Sequence, residues 1–220
     1  MKQVIEIKDI ITHVNHQYIN DGYLEVYFPG KIAQKELVEI EDFLYPPQLY
    51  DYSARRLEVQ ISREYLDRAT IIVFRKKGKI IATCRFISKW SAEDELPIEC
   101  ATIDSITDPV LANRNIFHRG EKFRVQKIPG ALPACEVGGL RALDPKDDPE
   151  ISVRTHYHAL KAVLDKCEAL ATEQGHKTDF CTCLGTPPLQ RLYGKKFRFY
   201  EIGTVCYDPP ITWKALMRRD

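Results

Sequence analysis

The sequence predicts a mixed α/β domain with at least one parallel strand pair, and two stretches carry the prediction. "TIIVFRKKGKIIATCRFI" holds two β-rich runs, residues 70–74 and 79–87, joined by Arg-Lys-Lys-Gly, which reads as a hairpin of two long strands. Farther on, "ACEVGGLRAL" (134–143), a long amphipathic run and "TDFCTCL" (178–184) give the order strand, helix, strand. A helix crossing between two strands makes them parallel. At 220 residues and 25.4 kDa, with no low-complexity run, a single domain over residues 1–220 is expected.

Each further element follows from local chemistry. Residues 31–45 place Ala33, Leu37, Ile40 and Leu44 at steps of four, three and four, the stripe of an amphipathic helix, and Pro46-Pro47 stops it. Residues 91–133, with prolines at 97, 109, 129 and 133, read as short elements and loops. In 134–143 a regular strand would point Glu136, Gly138, Leu140 and Ala142 to one face, and Val137, Gly139, Arg141 and Leu143 to the other. Paired glycines weaken a strand and mark a bulge, or a place where a ligand or second backbone comes close. The helix is expected over about 149–174: Asp148-Pro149 supplies the cap, Val153, Tyr157, Leu160, Leu164, Cys167 and Ala171 the stripe, and Gly175 the stop. "PPLQRLYGKK" (187–196) reads as a short helix begun by proline and "FRFYEIGTVCY" (197–207) as a last strand.

Composition narrows the function classes. A net charge of +1 with 44% hydrophobic residues argues against a disordered chain and gives no global reason to invoke nucleic acid. The opening MKQVIEIKDIITHV carries Glu6 and Asp9 among its apolar residues and does not read as a signal peptide. No stretch approaches the 18 apolar residues of a membrane span, so a cytosolic protein is expected. The seven cysteines contain no C-x-x-C pair and read as small buried hydrophobes. No metal is expected either: His156 and His158 lie two apart on a helix and cannot face one ion together.

The hairpin, the strand carrying a glutamate and the C-terminal "RLYGKKF" together resemble the Gcn5-related N-acyltransferase fold, a mixed twisted sheet flanked by helices. More narrowly, the sequence is similar to the acyl-homoserine-lactone synthases and the related N-acyl amino acid synthases. Their fourth strand typically reads E-[IL]-S-R-[FL]-A-V, and in "CEVGGLRAL" Glu136 matches the glutamate and Val137 the aliphatic position. "IIATCRFI", ending at Arg85-Phe86, resembles the group's "vvGtxRLi", and "EYLDRA" (64–69) its acidic segment. The departures are Gly138 for serine, Gly139 for arginine with Arg141 two residues later, and Ala82 for glycine.

The resemblance implies that the fourth and fifth strands splay apart and that the acyl-thioester arm of the donor adds to the open backbone edge. Gly138, Gly139 and Leu140 would then border the thioester, with Arg85 and Arg141 as further substrate-binding candidates. An N–H of the bulge could stabilise the charge that develops on the thioester oxygen. Glu136 is the candidate to accept the amine proton, or else a buried ion-pair partner of Arg85. Glu99 in "LPIEC" is a second carboxylate that could bind the amine, and Tyr193 in "RLYGKK" the candidate to protonate the leaving thiolate.

The donor follows from the helix start. Coenzyme A users of this fold typically place Q/R-x-x-G-x-G/A there, whose free N–H groups hold the pyrophosphate. Here "LDPKDDPEIS" carries Asp144, Asp147, Asp148 and Glu150, which disfavours an anion. An acyl-phosphopantetheine thioester on acyl carrier protein suits the sequence better than acyl-coenzyme A, with no permanently bound cofactor. Basic runs 114–127 and 195–198 could receive the acidic carrier, or be ordinary solvated faces. The acceptor would be a small amino-acid-like amine. The competing reading is a catalytically silent module of the same fold that binds an acyl chain or a protein. A nucleic-acid binder ranks third, because the basic runs lack stacking aromatics beyond Phe117 and Phe123.

Overall fold

The computed structural model describes residues 2–6, 18–48, 52–184, 193–195, 198–207 and 212–219. The chain forms β1 (Lys2–Glu6), β2 (Gly22–Tyr27), α1 (Gln34–Leu44), α2 (Tyr52–Glu64), β3 (Ala69–Lys76) and β4 (Lys79–Lys89). There follow a 3₁₀ turn (Pro97–Cys100), β5 (Thr102–Ile106), α3 (Pro109–Asn113) and a second 3₁₀ turn (Val125–Lys127). The chain then continues through β6 (Ala134–Ala142), α4 (Val153–Glu173), β7 (Thr178–Leu184), β8 (Tyr200–Tyr207) and β9 (Thr212–Arg219). The strands make one mixed sheet in the order β1-β2-β3-β4-β6-β7-β9-β8-β5. By internal contacts the chain divides into two compact units, Met1–Ile87 with Gly139–Leu170 and Ser88–Gly138 with Ala171–Asp220. The strands β4 and β6 and the helix α4 run from one unit into the other.

In the first unit the hairpin forms as expected, with longer strands. Lys77 and Gly78 both take left-handed backbone (φ 51° and 80°), the conformations a two-residue type I′ turn requires. Strand β2, which the sequence pattern did not single out, pairs antiparallel with both β1 and β3. The helix α1 buries Leu37, Ile40 and Leu44, as its stripe dictates, and Ile40 and Leu44 join a cluster with Tyr27, Ile71, Val73 and Ile80. It has no basic residue in its last turn. Arginines from elsewhere serve its C-terminal carbonyls instead: Arg141 Nη1 donates to Leu44 O (3.0 Å) and Arg55 Nε to Tyr45 O (2.7 Å).

The helix α4 starts later than its sequence suggested. Asp148 accepts the Glu150 N–H (3.0 Å) in a local turn of its own, and Ser152 Oγ accepts the Thr155 N–H (3.0 Å) as the working cap. Val153 is therefore exposed in the first turn, and the buried face runs through Ala159, Leu160, Val163, Leu164 and Cys167.

In the second unit β6 and β7 are parallel, as expected for strands separated by a helix. Among the described residues they pair only at Ala134↔Thr178, Cys135↔Asp179 and Glu136↔Phe180. Strand β9 then pairs antiparallel with both β7 and β8, so β8 does not adjoin β7. Its sequence, TWKALMRR, is rich in helix formers, and partners on both sides override that preference. The short helix expected at 187–196 lies outside the described residues except for 193–195, which are helical.

The end of α4 is held as predicted. Gly175 (φ 82°) follows the helix, and the His176 N–H returns to Ala171 O (3.0 Å). His176 contacts Ser88 Oγ through Nε2 (3.0 Å) and lies 4.5 Å from the Trp90 ring. Burial pushes its pKa down to about 4 from 6.5. The unfolded chain therefore takes up this proton between about 6.5 and about 4 while the folded chain does not, so stability is full above that window and falls as pH drops through it. The loss is about 2 kcal/mol once solvent screening of a half-buried ring is allowed for. His176→Gln keeps a partner for Ser88 and is expected to flatten the decline in urea midpoint between pH 7 and pH 5. An unchanged decline would assign it elsewhere.

Candidate active site

The strand β6 carries Glu136, Gly138, Gly139, Leu140 and Arg141 of the predicted residues, and its ladder with β7 ends at Glu136. Gly139 sits at φ 57°, a left-handed position open to glycine at little strain. Its carbonyl accepts from Thr83 Oγ1 (2.8 Å), and the Leu143 N–H returns to Ile81 O (2.8 Å). A Cβ added at Gly139 would lie 3.3 Å from Arg85 Cγ and 3.7 Å from Leu44 Cδ1. Gly139→Ala is accordingly expected to lower stability by about 1–2 kcal/mol, the strain of a left-handed alanine, with Arg85 forced to shift. A urea titration checks this, and an unchanged midpoint would contradict the assigned backbone.

In the first unit Arg85 and Gly139 border a cleft whose other walls are Leu37, Ile40, Glu41 and Leu44 of α1, Ile71 of β3, and Thr83 and Cys84 of β4. Its enclosed space is about 10 Å³, room for about one water molecule. Glu41, which the sequence pattern did not mark, is held there by Arg63 through two 2.7 Å bonds. Arg141 lies over the Phe43 ring at 5.5 Å in addition to serving Leu44 O.

In the second unit Glu136 is 7% exposed, and its Oε2 accepts the Ile98 N–H at 2.7 Å. Glu99 is fully buried: Oε1 accepts the Val125 N–H (2.8 Å), and Oε2 accepts the Leu96 N–H (2.9 Å) and meets Lys89 Nζ at 3.0 Å. Both Glu99 oxygens are thus engaged inside the unit. Tyr193 packs edge-on against Phe199, and its carbonyl accepts the Phe199 N–H (3.1 Å).

The acids before α4 are also committed. Asp144 Oδ1 accepts the Lys146 N–H (2.8 Å), and Asp148 pairs with Lys79 of the hairpin (3.3 Å). The basic run 114–127 is largely neutralised within its own unit, Arg119 by Asp104, Arg124 by Glu95 and Lys127 by Glu121. His156 Nδ1 lies 2.8 Å from Leu143 O, and His158 stacks on Tyr18. Among the described residues no group of three or more His, Cys, Asp or Glu could hold a metal ion, and no helix is long and apolar enough to cross a membrane.

No protein-family model matches the chain, and no curated protein matches it in sequence. Solved structures do match. An acyl-CoA N-acyltransferase from Pseudomonas aeruginosa aligns over 90% of this chain and 98% of its own at a TM-score of 0.51 and 12% identity. An acetyltransferase from Streptococcus agalactiae aligns over 91% and 98% at a TM-score of 0.51 and 9% identity. The fold is that of the Gcn5-related N-acyltransferases. An N-acyl amino acid synthase from uncultured soil microbes also aligns, over 90% of this chain and 88% of its own, at a TM-score of 0.47 and 17% identity. Within this N-acyltransferase fold, Lys89 and the Ile98 N–H are the site features that the sequence reading missed. The available signal was a lysine closing a strand that is buried along most of its length, just beyond the expected strand end at residue 87.

Proposed function

We propose that the protein is a cytosolic N-acyltransferase that moves a fatty acyl group from a carrier-protein thioester, or from acyl-coenzyme A, to the amine of a small amino-acid-like acceptor. The observation that carries this reading is the end of the β6–β7 ladder at Glu136, followed three residues later by left-handed Gly139. Beyond that point Gly138 and Gly139 carry no side chains of their own, and the donor's pantetheine amides would add to the β6 backbone as a strand does. The neutral amine attacks the thioester carbon, a C–N bond forms and the C–S bond breaks. Glu136 takes the amine proton, directly or through water, and Tyr193 returns a proton to the thiolate. Arg85, Leu140 and Arg141 are assigned to substrate binding.

Two features favour the carrier-protein donor. Asp144 and Asp148 occupy the N–H groups of the turn where a pyrophosphate would sit, and Ser152 caps α4 itself. Carrier-protein thioesters are therefore expected to be used roughly tenfold better or more than coenzyme A thioesters of the same chain, and raised salt should weaken only the former. Purified protein, one amine and both donors test this by mass spectrometry of the product. Equal, salt-indifferent rates would refute the donor assignment, and no N-acyl product from either would refute the activity. Gly138 and Gly139, standing where the synthases have serine and arginine, favour the silent acyl-binding module as second reading. Bound lipid without turnover is its signature.

A further inference from the structure

We propose that Lys89 is a positioning residue for Glu136, acting through Glu99 and the 3₁₀ turn Pro97–Cys100; this rests on the reading of Glu136 as proton acceptor. Lys89 closes β4 and is 1% exposed. Its Nζ meets Glu99 Oε2 at 3.0 Å and also donates to the carbonyls of Ala92 (3.3 Å) and Asp94. Glu99 in turn ties down both sides of the turn, through the N–H of Leu96 before it and of Val125 from the second 3₁₀ turn. The Glu99 N–H closes the turn on Leu96 O (2.9 Å). Ile98 lies between these anchors, and its N–H is one of the first donors of a helical turn, which have no partner inside the turn. That N–H is spent on Glu136 Oε2 at 2.7 Å.

The orientation of the Glu136 carboxylate is thus set by a turn whose own orientation is set by a buried ion pair. A buried pair of opposite charges adds little net stability, because desolvation offsets the attraction, but it fixes geometry. Here the fixed geometry is a hydrogen bond to one carboxylate oxygen. A hydrogen bond donated to the charged form favours it, so loosening the Ile98 N–H bond disfavours the Glu136 carboxylate.

Lys89→Met/Glu99→Gln removes both charges together, keeps the volumes and leaves one oxygen to accept one of the two N–H bonds. In this folded variant the Ile98 amide proton should move upfield, the Glu136 carboxyl, followed by ¹³C shift, should titrate at higher pH, and kcat should fall roughly 10- to 100-fold through misplacement of the base. The KM for the acceptor should stay within about twofold, since no substrate contact is lost. An unmoved Ile98 amide and an unmoved Glu136 titration would overturn the proposal. If the double variant does not fold, Lys89→Arg, which keeps the charge pair but alters its geometry, is read the same way, with the same two outcomes. If both NMR signals move and turnover does not, positioning stands and the proton-acceptor role of Glu136 falls instead.

Discussion

Replacing Glu136 by glutamine is expected to lower N-acyl transfer by roughly 10²–10⁴-fold at neutral pH, the usual contribution of a general base. The substitution isolates basicity. The Gln carbonyl oxygen can still accept the Ile98 N–H that Glu136 Oε2 accepts at 2.7 Å, and the side chain keeps its volume in a site only 7% exposed. Fold and melting temperature should therefore hold within the range of a conservative buried change. The defect should shrink as pH rises, because more acceptor amine is then already neutral and needs no base. A glutamate that served only to hold the 3₁₀ turn would instead be replaced by glutamine with little loss of rate, because the Ile98 bond is kept. Full activity of the Gln variant across pH would remove Glu136 from the mechanism.

Arg75→Met is expected to cost about 3–5 kcal/mol of stability, the penalty for removing one partner of a buried ionic cluster. Arg75 on β3 donates Nε to Glu25 Oε2 (2.7 Å) and its two Nη atoms to Glu39 Oε1 and Oε2 (2.7 Å each). Glu25 lies two residues along β2 from the position opposite Arg75, a diagonal pair, and is 4% exposed. It also accepts from Lys2 (2.8 Å) and Tyr27 (2.7 Å). Burial works to raise the Glu25 pKa, but the hydrogen bonds from Lys2, Arg75 and Tyr27 outweigh it and hold it below 4.5. Arg75 likewise holds Glu39 below that value. Depressed carboxyls contribute stability that is complete above 4.5 and lost as pH falls below it, so the wild-type cluster should weaken there and the variant should be less acid-sensitive. Lys79→Met, which breaks the more exposed pair with Asp148, is the control and should cost under about 1 kcal/mol. Urea titrations of the two variants read the difference, and similar small losses would contradict the buried cluster.

The sequence displayed the hairpin, α1, α4, the parallel β6–β7 pair and the need for glycine in β6, because each rests on local chemistry: Gly78 at a turn, Leu37, Ile40 and Leu44 at helical spacing, Gly139 where a left-handed residue is needed. It hid β9 and β2. The first is written in helix formers, and the second is only six residues long, although Asp21-Gly22 and Pro29-Gly30 bracket it as turn signals. The start of α4 was misjudged because Asp148 and Ser152 are both good caps, and only the turn that Asp148 makes with Glu150 decides between them. Glu136 and Glu99 were legible as carboxylates in apolar settings. Their different surroundings were not, since Lys89, Leu96 and Val125 converge on Glu99 from separate segments.

The most direct test of N-acyl transfer is its stoichiometry: purified protein is mixed with an acyl carrier-protein thioester and an amino acid pool, and free thiol and N-acyl product are followed together. One thiol should be released for each N-acyl amide formed, and none without the amine. Thiol release that yields only free fatty acid, or stable acyl binding with no thiol released, would contradict the account.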